Sequence, residues 1–353
     1  MKPSIDLRSD TVTRPTPAMR NAMAQAEVDD DVIDVDPTVR RLQEKTAEIL
    51  GKEAAIFMPS GTMTNQVALR VHCKPGDEFL CEAGCHIYYY EQGGFAQLSG
   101  LVARTVAGEG GVLKLSQLEG LLRPDNEHFV RTKLVTLENT HNRGAGRILP
   151  QSEVVDICDW AHSNGLKTHL DGARFWNAVV ASGMSSQKLA EPFDTVSVCF
   201  SKGLGAPVGS CLAGSKEAIA EARRHRKLFG GGMRQSGILA AGAIHALEHH
   251  VTRLAEDHAN AGLLAEWIAK SPWLTLTPAK VDTNMVIFQL KASVGGAAAF
   301  VVALEREGVR ALAMSATQVR LVTHLDVSRE ACQQAGEIIV RLAEKLAQTR
   351  LVV

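Results

Sequence analysis

Lys202 stands at the end of the apolar run "VSVCF" (196–200) and opens a glycine-rich loop, "KGLGAPVG" (202–209). Lysine is rarely buried without a partner, and one in apolar surroundings sheds its proton and becomes a nucleophile toward carbonyl carbon. Asp171 ends a second run, "KTHLD" (167–171), and Arg174 follows three residues later. "PSGT" (59–62) closes a third run before a helix-like stretch. Ser60, Gly61 and Thr62 there offer N–H groups and hydroxyls of the kind that hold phosphate. Arg320 lies in "QVRLVTH", His128 in "PDNEHFVRT", and His86 opens "HIYYY", which holds all three tyrosines, at 88, 89 and 90. Singly, each has a plain structural explanation. An Asp at a strand end is commonly a turn residue, "SGT" before a helix an N-cap, an arginine a solvated surface group, and an aromatic run partial core packing.

The set says more than its members. Pyridoxal phosphate needs a lysine for its carbonyl, a carboxylate to keep its ring nitrogen protonated, and N–H groups for its phosphate. With amino-acid substrates it also needs an arginine for the substrate carboxylate. Lys202, Asp171, the 60–62 turn, Arg174 and Arg320 are candidates for these roles. A histidine titrating near neutrality suits proton removal from a substrate hydroxyl.

These side chains meet only if several strands bring their ends together. "AAIFMPSG" (54–61), "KLVTLEN" (133–139), "KTHLDGAR" (167–174) and "TVSVCFSK" (195–202) read as strands. Helix-like stretches alternate with them at 62–73 and at 152–165, the latter with Ser152 as cap and Gly165 as stop. Such alternation predicts an α/β fold with a mainly parallel sheet covered by helices, and ligands bind at the carboxyl ends of its strands. One long helical region is expected over 236–271, then a β-α-β-α pattern to the end. This division predicts a large domain over 1–248, N-terminal segment included, and a smaller C-terminal α/β domain over 249–353.

Bulk properties exclude several classes. The 353 residues carry a net charge of -1, against the basic surplus of a nucleic-acid binder. No run approaches the roughly 20 apolar residues that span a bilayer, so no membrane partner is expected. "MKPSIDLRSD" lacks the apolar core of a secretory signal, and the seven cysteines show no CxxC spacing. A cytoplasmic protein with reduced thiols is the expectation.

Seven stretches in order, "IDLRSDTVTRPT" (5–16), "GKEAAIFMPSGTMTN" (51–65), "LENTHN" (137–142), "HLDGAR" (169–174), "SKGLGAPVGS" (201–210), "GGGMRQSGILAA" (230–241) and "VRLVTHLDVS" (319–328), resemble the low-specificity L-threonine aldolases. These are fold-type-I pyridoxal-phosphate enzymes of the β-eliminating lyase group, and the likeness covers nearly the whole chain. The resemblance implies cleavage of L-threonine, L-allo-threonine or related β-hydroxy-α-amino acids to glycine and an aldehyde. It implies Lys202 as the lysine that carries the cofactor and Asp171 as partner of the ring nitrogen. Gly61 and Thr62, with Ser60, Ser201 and Arg234, would hold phosphate. Ser9, Arg174 and Arg320 would face the substrate carboxylate and the cofactor phenol oxygen, with Tyr90 on the substrate side. His86 would stack on the ring, and His128 would lie near the β-hydroxyl. His86, His128 or a water held between them remains the candidate base. A homotetramer with active sites between subunits is also implied.

Two departures stand out. "VDDDVIDVDPT" (28–38) has Asp29 and Asp34 where the family has glycines and Ile33 where it has tyrosine, and the loop "HNRGAGRILP" (141–150) is longer than usual. Aldol cleavage is therefore weighed against another pyridoxal-phosphate reaction at Cβ. More remote is a zinc peptidase through "HALEH" (245–249), which fits H-x-x-E-H. A dinucleotide fingerprint at 203–209 has its glycines wrongly spaced and no helix after it. A non-catalytic pyridoxal-binding module would not need the full set of groups.

Overall fold

The computed structural model describes residues 5–351. A short N-terminal strand, β1 (Ile5–Asp6), precedes β2 (Ala54–Met58), β3 (Glu78–Glu82), β4 (Val102–Val106), β5 (Thr132–Glu138), β6 (Lys167–Gly172), β7 (Thr195–Cys199) and β8 (Ser210–Gly214). The last seven form one sheet in the order β2-β8-β7-β6-β5-β3-β4, and only β8 runs against its neighbours. Every residue of β3, β7 and β8 is buried. Strands apolar on both faces require helices on both faces, which the alternating sequence supplies. The six co-directional strands end along one edge, where Glu82, Glu138, Asp171 and Cys199 all fall.

The C-terminal part adds β9 (Leu274–Leu276), β10 (Met285–Leu290), β11 (Val309–Arg310), β12 (Leu312–Ala313) and β13 (Gln318–Val322). Four of these make an antiparallel sheet in the order β12-β13-β10-β9, while β11 pairs in parallel with β1. The largest group of buried apolar residues runs from position 19 to 254, and a second joins Leu7 to residues 261–347. The Leu7 N–H donates to Arg310 O at 2.8 Å, and its carbonyl accepts from the Val322 N–H at 2.8 Å. From Ile5, the first described residue, the chain therefore runs beside the C-terminal strands before it reaches the large sheet past Asp10.

Two local expectations are corrected. The 236–271 region is two helices, Gly237–His249 and Leu254–Ala269. The chain turns between them, where the buried His250 Nδ1 donates to Leu204 O at 2.7 Å and ties the turn to the loop after Lys202. Ser152 is not a cap either: the Gln151–Ser163 helix starts after Pro150 without a side-chain cap. Gly165, with φ of 70°, does follow its end.

Candidate active site

Asp171 lies on β6 level with Glu138 of β5 and Ser197 of β7. It is buried, its Oδ2 accepts from Asn65 Nδ2 at 2.8 Å, and its Oδ1 accepts from the Ala173 N–H at 3.1 Å. A carboxylate offers about four acceptor positions, so capacity remains for another N–H donor. Lys202 follows the end of β7 and is half-buried. Its carbonyl accepts from Thr13 Oγ1 at 3.0 Å and from the Gly205 N–H at 2.8 Å, which fixes the backbone from which the side chain rises. The Lys202 side chain lies close enough to Asp10, His86 and Cys199 to act on all three electrostatically.

The Gly61–His72 helix starts at the same edge, with Ser60 Oγ capping it by accepting from the Met63 N–H at 3.2 Å. A Cβ on residue 61 would come within 2.8 Å of Cys199 Sγ, so glycine permits the helix start to close on β7. Ser60 and Thr62 are exposed and Ser201 half-buried. First-turn N–H groups without intrahelical partners are of the kind that can accept an anion.

Arg174 and Arg320 are both buried. Arg174 Nε and Nη2 donate to the two oxygens of Asp10 at 2.8 and 2.7 Å. Burial alone would raise the Asp10 carboxyl, but Arg174 outweighs it and holds it well below the usual range. Among the described residues Arg320 has only neutral hydrogen-bond partners: Nη1 donates to Asn142 Oδ1 at 2.9 Å and Nη2 to Arg8 O at 3.2 Å. Its Nε is buried with no partner among the described residues. Burial, then the charge of Arg174, pushes the guanidinium down to about 10. Arg174 has Asp10 as its close carboxylate and feels the charge of Glu138 as well, whereas the Arg320 Nε is free to donate to an anion. Ser9, half-buried beside this group, accepts from the Thr11 N–H at 3.2 Å.

His86 opens a short helix, His86–Tyr89, and its backbone N–H donates to Glu138 Oε2 at 2.6 Å. Its Nδ1 lies 2.9 Å from Glu91 Oε1. Burial would lower the imidazole, but the hydrogen bond to Glu91 and the charges of Asp171 and Glu91 together raise it. One nitrogen or oxygen each from His86, Glu91 and Asp171 lie within 4.8 Å of one another. Tyr88, Tyr89 and Tyr90 are exposed rather than part of the core, and Tyr90 Oη accepts from Arg143 Nη1 at 3.1 Å.

Two expected residues are not brought here within one protomer. His128 is exposed in a loop entering the amino end of β5, its only ionic neighbour among the described residues being Glu127 at 3.8 Å. Seven strand residues, about 20 Å, separate that end from the site. Arg234 is exposed and donates to Asp30 Oδ2 at 2.9 Å. The "HALEH" histidines lie on the Gly237–His249 helix. The His245 and His249 rings lie 4.5 Å apart, but among the described residues no third ligand completes a metal group with them. The 203–209 glycines lead into β8, not a helix.

Asp10, Asn65, Glu91, Glu138 and Asn142 complete the site and were not singled out from sequence. All but Glu91 lie inside the quoted family stretches, and Glu91 follows the tyrosine run directly.

The family description "Beta-eliminating lyase" matches residues 6–291. The low specificity L-threonine aldolase of Escherichia coli (strain K12) is 46% identical over 327 residues, covering 92% of this chain and 95% of that protein. Low-specificity L-threonine aldolase 1 of Arabidopsis thaliana is 43% identical over 330 residues, 92% of each. Among solved structures, a putative L-allo-threonine aldolase from Listeria monocytogenes EGD-E matches with a TM-score of 0.80 at 23% identity, over 98% of this chain and 97% of that one. The threonine aldolase of Leishmania major matches with a TM-score of 0.80 at 21% identity, over 96% and 99%.

Proposed function

The chain belongs to the beta-eliminating lyase family, and from that membership we propose a carbon–carbon lyase of the low-specificity L-threonine aldolase type. It cleaves L-threonine, L-allo-threonine and related β-hydroxy-α-amino acids to glycine and an aldehyde, with pyridoxal phosphate as cofactor. The observation that carries this reading is Arg320, a buried cation of β13 whose Nε has no partner among the described residues and whose Nη1 donates to Asn142, just past the end of β5 beside Asp171.

The donor set fits the cofactor. Lys202 Nζ would bind its carbonyl carbon, and Asp171 would keep a proton on its ring nitrogen. The first-turn N–H groups at Gly61 and Thr62, with the Ser60 and Ser201 hydroxyls, would hold its phosphate. When bound, pyridoxal phosphate supplies an electron sink for the bond broken at Cα.

Arg320 binds the substrate carboxylate, and Arg174, held by Asp10, adds positive charge beside it. Asn142 Oδ1 sets the separation of the two guanidiniums, accepting at 2.9 Å from Arg320 and 3.5 Å from Arg174. His86 Nε2 takes the β-hydroxyl proton, directly or through one water. As that proton leaves, the Cβ–O bond becomes the aldehyde carbonyl and the Cα–Cβ electron pair stays on Cα. A proton returned to Cα completes glycine.

We extend the proposal to a homotetramer with active sites between subunits. Its support is that His128, Arg234, Ser60 and Thr62, all implied in the site by resemblance, lie on the protomer surface. The test is a substrate panel with the purified, cofactor-loaded protein. Glycine and aldehyde in equal amounts from threonine and phenylserine are expected. A 2-oxo acid and ammonia instead would identify a different Cβ reaction.

A further inference from the structure

We propose that Glu91 is a positioning residue that holds His86 as the Nδ1–H tautomer, and that Asn65 joins Glu91 and Asp171 into one unit behind the site. The functional consequence rests on the reading of His86 as proton acceptor; the geometry does not.

Three donors reach Glu91. Asn65 Nδ2 donates to Oε1 at 2.9 Å, Gln66 Nε2 to Oε2 at 2.6 Å, and His86 Nδ1 lies 2.9 Å from Oε1. A carboxylate only accepts, so His86 Nδ1 must carry the proton. The opposite tautomer would set a nitrogen lone pair against a carboxylate oxygen. Gln66 reaches Glu91 because residue 94 is glycine: a Cβ there would sit 2.9 Å from Gln66 Cδ. Among the described residues the His86 ring bonds only through Nδ1, which leaves Nε2 as the acceptor for substrate.

Asn65 cannot flip, and the reason lies deeper in the core. Its Nδ2 donates to Glu91 and also to Asp171 Oδ2 at 2.8 Å, while its Oδ1 lies 3.1 Å from His169 Nε2. Burial pushes His169 down to about 3, so it is neutral and donates from Nε2 alone. His169 Nδ1 then accepts from Thr195 Oγ1 at 2.9 Å, and Thr195 Oγ1 accepts from His72 Nε2 at 2.8 Å. Every hydrogen bond between His72 and His86 thus has a fixed direction, with Glu91 accepting from both ends. A flipped Asn65 would point its carbonyl at two carboxylates and its amide at an N–H group.

The groups that face His86 come from several elements: Glu91 from the loop after its own helix, Asp171 from β6, Lys202 from the loop after β7, Glu138 from β5 through the backbone N–H, and the Tyr90 ring at 5.5 Å. The carboxylates favour the imidazolium, and Lys202 opposes it.

The test is site-resolved modification of the cofactor-loaded protein with diethylpyrocarbonate, which attacks neutral imidazole, read as the rate at the His86 peptide against pH. In the unmodified protein the midpoint should lie above the ordinary histidine value of about 6.5. Glu91→Gln should lower it by about one pH unit or more and reduce kcat more than it changes KM, and Glu91→Asp should restore part of both. A wild-type midpoint at or below the ordinary value overturns the proposal even if Glu91→Gln does not fold, as does an unchanged midpoint in a folded Glu91→Gln. A shifted midpoint in a protein that leaves β-hydroxy amino acids intact would instead overturn the functional reading and keep the geometry.

Discussion

Arg320 and Asp171 separate binding from turnover. Arg320→Ala should raise KM for threonine at least ~10-fold, since a charge-assisted hydrogen bond is worth about 1.5–3 kcal/mol, and should leave cofactor absorbance unchanged. Asp171→Asn should instead lower kcat by about 10² or more, the scale seen when one essential charge-stabilising partner is lost. Steady-state kinetics on both variants check the pair, and the reverse pattern would contradict the assignment. The His86 imidazole, raised by Glu91 and Asp171 against burial, predicts a third result. A base must be neutral, so kcat/KM should fall as pH drops through the raised value, and a pH profile of threonine cleavage reads this directly. Lys202, Asp171, Arg174 and Arg320 stood out in the sequence as candidates because each ends or interrupts an apolar run. Their partners were not. Asp10 meets Arg174 across 164 positions and Asn142 meets Arg320 across 178, and no local pattern encodes such pairings. His128 and Arg234 were placed by resemblance, and one protomer leaves both on its surface.

Elements were most legible where burial is continuous. β2, β5, β6 and β7 fall where apolar runs predicted strands, because no other element hides such runs as well. The turn at 250–253 was hidden, since it is made by His250 reaching Leu204, a contact from outside the segment. We propose a division a few residues past 248, because the two buried groups part between Leu254 and Ala261, with β1 counted in the smaller unit because it pairs with β11. Asp194 ties β6 to β7: it accepts from Lys167 Nζ at 2.8 Å, the Thr168 N–H at 2.9 Å and His162 Nε2 at 3.0 Å. Burial opposes its charge, yet the Lys167 and His162 hydrogen bonds bring it down to about 2. A depressed carboxylate stabilises the fold above its unfolded value and loses that contribution as pH falls through the folded one. Asp194→Asn should therefore cost about 1–3 kcal/mol at neutral pH, with the difference from wild type shrinking between pH 4 and 2 in denaturant titrations. A constant difference would mean the charge does not matter. Gly61→Ala should weaken cofactor binding through its clash with Cys199, and Gly61→Ala with Cys199→Ala should recover part of the loss.

The protomer presents Ile33, 84% exposed, on a loop braced by the Asp31–Arg226 pair at 2.9 Å and the Asp30–Arg234 pair at 2.9 Å. An apolar side chain held outward on a firm loop suits a surface that meets another copy, and light scattering should report the mass of four chains. If Ile33 lines a neighbouring pocket, Ile33→Tyr should shift the kcat/KM ratio of phenylserine to threonine toward threonine. The change is graded, because one pocket contact is worth only about 1–3 kcal/mol. An unchanged ratio would remove Ile33 from the pocket. The fold and family were legible in motif order along nearly the whole chain. The surface through which the proposed copies would meet was not, because surface pairing depends on shape rather than on the run of apolar residues. Everything proposed about the chemistry converges on one atom, Lys202 Nζ. Borohydride reduction of the cofactor-loaded protein, followed by peptide mass mapping, should find the pyridoxyl group on Lys202 and none in Lys202→Ala. A pyridoxyl group on another lysine, or full threonine cleavage by Lys202→Ala, would contradict the account.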